Sequence, residues 1–224
     1  MDLEIGEVYS KSVPPSMSIA LLALKNKIYK DLSSDCGYPQ LMCNCLTMGT
    51  AVWKENQDVR FSGICFGHQV LCRALGAKVE PSPDEKWELS HTKIDLNEIG
   101  EALFKTKKHI HLHQMHVDHV VAPPTEASSN GLIEDDSSVH VWGSSKDFEV
   151  QGVYIRERLF TSQGHLGYDE EMVKLNVDAR VESGSLQDTK QAEEAKDKAG
   201  MDHDGILVAG AILRFFHGED KDIK

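Results

Sequence analysis

Long apolar runs are missing from this 224-residue chain. The longest, such as Ile19–Leu24, are core-sized and fall far short of the ~20 residues of a membrane span, so no membrane association is expected. Basic charge is scarce as well. Twenty-four Lys and Arg against 36 Asp and Glu leave a net charge of −12, which argues against a general phosphate-binding surface and so against nucleic acid as a partner. Cysteines are few and odd in number: Cys36, Cys43, Cys45, Cys65 and Cys72. The acidic start, Met1-Asp2-Leu3-Glu4, differs from a basic export or mitochondrial presequence, so a disulfide framework is not expected. Cys43-Asn44-Cys45 lacks the two-residue spacer of a zinc knuckle, and no second ligand pair follows, so no metal is assigned there. Repeats and low-complexity tracts are absent too. The chain reads as a soluble, cytoplasmic protein that needs no cofactor.

What remains is an ordinary composition, 40% hydrophobic and 27% charged, in a length that suits one large domain. Residues 1–16, with two prolines and no apolar period, read as a disordered arm, and residues 17–224 as a single domain. Between 31 and 56 neither a 3.6 nor a 2.0 period is clean. From residue 59 onward strands and helices alternate. Arg60–Cys65 is predicted as a strand entering a turn, and His68–Leu75 as a helix stopped by Gly76. Trp87–Leu96, Lys108–Gln114, Val139–Ser144, Glu149–Ile155 and Leu159–Gln163 read as strands. Asn97–Lys105, Glu170–Glu182 and Ile206–Phe216 read as helices, with a solvated charged stretch between the last two. Such mixing predicts an α/β domain. His109, His111 and His113 alternate and would share one strand face, but no carboxylate set accompanies them and no metal is assigned.

The sharpest local signal is Gly63-Ile64-Cys65-Phe66-Gly67-His68-Gln69. A nucleophile on a bend between strand and helix needs small flanking residues, as in the serine elbow of α/β-hydrolases. The same position sets the sulfur near a helix N-terminus, whose partial positive charge favours thiolate. It also aims the Phe66 N–H at an oxyanion forming on an attacked carbonyl. Cys72, inside the following helix, reads as a small buried hydrophobe.

These residues resemble the class I glutamine amidotransferases, the triad type with signature G-x-C-x-G-x-Q, and the free-standing fungal-like members above all. Leu75-Gly76-Ala77-Lys78-Val79 follows the elbow as it does in those proteins. Gln114-Met115-His116-Val117-Asp118 is similar to the family's His-x-Asp segment, and Gln163-Gly164-His165, preceded by Glu149-Val150-Gln151-Gly152, to the segment that carries its histidine. The resemblance implies a flavodoxin-like three-layer sandwich with a central, mostly parallel sheet. It implies Cys65 as nucleophile, His165 as base, Phe66 as an oxyanion donor, and Gln69, His116 and Asp118 as contacts to glutamine or a γ-glutamyl compound. The family's histidine is followed by Pro-Glu, whereas His165 is followed by Leu166-Gly167. A third carboxylate would then come from Asp169 or Glu170, or be absent. Residues 31–56 do not match the family, and Gly49 is the one candidate for its second oxyanion loop.

Three readings follow. The first is a glutamine-hydrolysing amidotransferase, with ammonia passed to a separate synthetase and a setting in fungal specialised metabolism. The second is a γ-glutamyl peptidase. The third is an inactive binding or regulatory homologue.

Overall fold

The computed structural model describes residues 19–22, 50–134 and 138–223, the first four through their backbone. The predicted arm, Gly49, Cys36, Cys43 and Cys45 all lie outside the described residues, as does the part of 31–56 up to residue 49. In chain order the strands and helices are β1 (Ile19–Leu22), β2 (Arg60–Ile64), α1 (Phe66–Ala74), β3 (Val79–Pro81), β4 (Glu88–Leu96), α2 (Glu98–Phe104) and β5 (His109–His116). They continue with β6 (Asp118–Val120), β7 (Val139–Val141), β8 (Gly143–Ser144), β9 (Val153–Ile155), β10 (Leu159–Ser162), α3 (Glu170–Glu182), α4 (Thr189–Asp197) and α5 (Gly205–Phe216). Residues 50–55 are also helical.

The central sheet has the order β1-β2-β10-β9-β7. Strands β1, β2 and β10 run parallel, and β9 and β7 extend the sheet antiparallel. Side chains alternate across it, as a pleated strand requires. Phe61, Val153, Ile155 and Leu159 pack on Leu71, Cys72 and Leu75 from α1. Tyr154 and Phe160 point the other way, onto Val208, Ala211, Ile212 and Phe215 of α5. The i, i+3, i+4, i+7 spacing of those four residues gives α5 one apolar stripe for the sheet. Helix, sheet and helix thus form the three layers of a flavodoxin-like α/β fold. A buried ion pair, Arg60 to Asp220 at 2.9 Å, ties the segment after α5 to the start of β2. Tyr154 donates to the same carboxylate at 2.8 Å, and burial together with that anion raises its hydroxyl well above the ordinary value.

A second sheet, β5-β4-β8, is built on the long antiparallel β4–β5 pair. Helices α3 and α4 cover it through Val173, Val177, Ala192 and Ala195, packed around Met115. The charged stretch before α5 is therefore partly the helix α4, with Ala192 and Ala195 as its inner face.

Two strands depart furthest from the sequence reading, the others by one or two residues at an end. Val139–Ser144 is split at Trp142 into β7 and β8, which join different sheets. The buried indole donates to the Thr161 carbonyl at 2.8 Å, which turns the chain at that residue. Glu149–Ile155 is extended strand only from Val153, because Gln151 faces a polar interior and Gly152 lies against Trp142. A Cβ on Gly152 would fall 2.1 Å from the indole nitrogen.

Candidate active site

The site lies beyond the carboxyl ends of β2 and β10, where open α/β sheets bind their ligands. These strands are parallel neighbours with Ile64 opposite Ser162, and the Cys65 N–H donates to the Ser162 carbonyl at 2.8 Å. Cys65 and His165 therefore leave adjacent strands on the same side. Cys65 has φ 53° and ψ −107°, a backbone state uncommon for a side-chain-bearing residue, and it caps α1 directly. The helix thus starts at Phe66, two residues earlier than the sequence suggests, because the bend is completed at Cys65 itself.

Glycine at 63 is a steric requirement of this bend. A Cβ there would sit 2.5 Å from the carbonyl carbon and oxygen of Gly67, which are backbone and cannot rotate away. Gly63→Ala is expected to lower stability by roughly 1–3 kcal/mol or to block folding. Thermal unfolding checks this, and an unchanged midpoint would contradict the close approach.

Burial is the dominant influence on the Cys65 thiol and raises it to about 11. The Phe66 N–H, the Arg180 charge and the Gln163 amide oppose that rise, and the Asp118 carboxylate adds to it. His165 is lowered to about 4, first by burial and then by His116 and His113. At neutral pH Cys65 is thus a thiol and His165 a neutral imidazole. Among the described residues no hydrogen bond joins Cys65 to His165. The sulfur instead receives the Gln163 side-chain amide at 3.6 Å. The His165 N–H donates to the His113 carbonyl at 2.8 Å, and its ring stacks on Tyr168 with centroids 3.9 Å apart. Alkylation of Cys65 by iodoacetamide in the free protein is expected to be slow at pH 7 and to rise about tenfold per pH unit towards pH 11, since thiolate is the reacting form. A rate already level at pH 8 would contradict this resting state.

The two carboxylates nearest His165 in sequence are engaged elsewhere. Asp169 caps α3, accepting from the Met172 N–H at 2.8 Å, and Glu170 pairs with Lys174 at 2.5 Å. Gln69 donates to the Asp118 carbonyl at 2.7 Å and to Gln163 Oε1 at 3.1 Å. His116 has both ring nitrogens engaged, Nδ1 with the Asp118 carbonyl at 3.0 Å and Nε2 with Glu88 Oε2 at 2.8 Å. Phe66, Gln69 and Asp118 line a cavity of about 270 Å³. Asp118 and Pro81 also border a larger cavity of about 980 Å³ that reaches Trp87 and the start of α4.

The sequence reading missed two members of this cluster, Gln163 as a partner of the sulfur and Glu88 as a partner of His116. Gln163 precedes His165 by two residues, and a strand period of two predicts a shared face. Glu88 stands directly opposite His116 across β4 and β5, a register that no local pattern announces. On β5 the alternating histidines run from exposed His109 to fully buried His113, and His91 stacks on His111 at 4.5 Å. Among the described residues no group of His, Cys, Asp and Glu is arranged to hold a metal ion. No helix among them is long and apolar enough to cross a membrane.

Comparison with known proteins gives a consistent result. A family model described as glutamine amidotransferase class-I matches residues 45–167. A glutamine amidotransferase-like protein of Schizosaccharomyces pombe is 32% identical over 158 residues, 70% of this chain and 57% of that protein. Gamma-glutamyl peptidase 2 of Arabidopsis thaliana is 30% identical over 138 residues, 60% of this chain and 50% of that one. The chain thus spans 50–57% of the length of these relatives. The crystal structure of a glutamine amidotransferase from Thermotoga maritima superposes with a TM-score of 0.58 at 16% identity, covering 94% of this chain and 81% of the other, which is a likeness of fold.

Proposed function

Because the chain belongs to the class I glutamine amidotransferase family, we propose that it hydrolyses a γ-glutamyl amide through a thioester on Cys65. The strained backbone of Cys65 at the head of α1, beside the strand that leads to His165, is the observation that carries this reading. In it, His165 takes the thiol proton as the sulfur attacks the γ-carbonyl. The Phe66 N–H stabilises the oxyanion. The amine leaves with the proton from His165, and water then cleaves the thioester. Lowered to about 4, His165 is unprotonated at physiological pH and has the free lone pair that this step requires. With glutamine as substrate the leaving group is ammonia, and its acceptor is an acid activated by a separate synthetase.

A second reading, γ-glutamyl peptidase, is favoured by the similarity to the Arabidopsis peptidase and by the cavity of about 980 Å³ beyond Asp118, larger than ammonia release requires. Both readings use the same thiol. Ammonia release from glutamine, measured beside cleavage of a γ-glutamyl dipeptide, decides between them. Failure of a glutamine-mimicking chloroketone to label Cys65 would overturn both and leave the inactive homologue.

A further inference from the structure

We propose that Glu88, acting through His116, is a positioning carboxylate of this site, which acts on the Cys65 sulfur rather than on His165. The proposal rests on the reading of Cys65 as the reactive thiol. Glu88 and Asp220 are the two buried carboxylates among the described residues, and Asp220 is committed to Arg60. Glu88 therefore has a different task.

A continuous set of hydrogen bonds runs from its carboxylate to the sulfur. Gln151 Nε2 donates to Glu88 Oε2 at 2.8 Å, and His116 Nε2 lies 2.8 Å from the same oxygen. The other ring nitrogen of His116 meets the Asp118 carbonyl at 3.0 Å. A carbonyl has no proton to give, so Nδ1 must carry one. Glu88 holds the opposite edge of the ring at Nε2, so the imidazole is fixed between the carboxylate and the Asp118 carbonyl. The Asp118 carbonyl also accepts from Gln69 Nε2 at 2.7 Å, and the second hydrogen of that amide goes to Gln163 Oε1 at 3.1 Å. With its oxygen so occupied, the Gln163 amide can turn only its nitrogen to Cys65 Sγ, at 3.6 Å. Each amide orientation is thus dictated by the one before it, and a donor ends up facing the sulfur.

The geometry assigns the work to Glu88 rather than to Asp169 or Glu170. A donor on the sulfur favours thiolate over thiol, so removing the anchor of the chain should suppress thiolate at every pH below the thiol midpoint. Arg180 and Asp118, the charged groups that act on the sulfur from α3 and the start of β6, are left unchanged in the variants compared.

The test follows Cys65 alkylation by iodoacetamide between pH 7 and 10 in the full chain. Glu88→Met, similar in shape but unable to accept, is expected to react about tenfold more slowly across the whole range, while Asp169→Asn and Glu170→Gln keep the wild-type profile. A merely loosened fold would expose the sulfur and speed the reaction, so a faster or unchanged Glu88→Met, or a slowed Asp169→Asn or Glu170→Gln, overturns the proposal. Should Glu88→Met not fold, nitrogen NMR of the wild-type imidazoles decides, since the proposal requires a protonated Nδ1 on His116 and a bare Nδ1 refutes it. Alkylation needs no glutamine turnover. A protein that fails to release ammonia but shows the Glu88 effect would refute the hydrolase reading and leave the positioning role standing.

Discussion

Cys65→Ser is expected to abolish covalent labelling by a glutamine-mimicking chloroketone and to lower ammonia release from glutamine by roughly 10⁵-fold or more. The substitution changes one atom. Serine fits the same bend, makes the same strand-end bond from its N–H to Ser162, and leaves Gly63 and Gly67 in contact. Its hydroxyl is a far weaker acid than a thiol, however, and is far harder for an imidazole to deprotonate. Even the thiol is held near 11 here, and the imidazole available as base has been lowered to about 4. The expected result is a variant that melts like the wild type and does no chemistry. Residual labelling of Cys65→Ser at another cysteine, with ammonia release intact, would move the nucleophile elsewhere and overturn the proposed function.

His165→Ala is expected to reduce kcat/KM for glutamine by about 10²–10⁴, the usual contribution of a general base. Among the described residues no side-chain carboxylate is hydrogen-bonded to the imidazole. Its backbone is pinned to His113 and its ring lies against Tyr168 at an interplanar angle of 17°. Stacking fixes the plane of the ring, but it does not select a tautomer as a hydrogen-bonded carboxylate would. The pH profile gives a second check. A base lowered to about 4 loses activity only as protonation overtakes it, so wild-type kcat/KM should stay level down to about pH 5 and fall as the pH drops through about 4. An acidic limb near pH 6.5 would assign the base to another histidine. Rates of His165→Ala equal to wild type would remove His165 from the reaction.

The elbow was legible because everything that makes it is local. Two glycines, a cysteine and the following helix lie within one short stretch, and the structure gives Gly63 a steric reason in the backbone of Gly67. The layers of the fold came from the family resemblance, since the residue pattern alone predicted only an α/β domain; in the structure Leu159 and Phe160, adjacent in sequence, go to opposite faces of the sheet as the period of two requires. What escaped reading depends on pairings between distant segments. Glu88 meets His116 through the β4–β5 register, and Trp142 breaks a Val-rich strand because its indole bonds Thr161. Asp169 looks available in sequence, but the N-terminus of α3 needs a cap and takes it. These are competitions for partners, and a sequence lists the competitors without their distances.

The thiol that faces Gln163 has a consequence for the working life of the protein. Oxidants attack sulfur mainly as thiolate, so a cysteine resting fully protonated converts only slowly to sulfenic acid. The same burial that makes the empty site sluggish makes it durable. Peroxide should spare Cys65 at neutral pH and inactivate it faster as the pH rises towards 11.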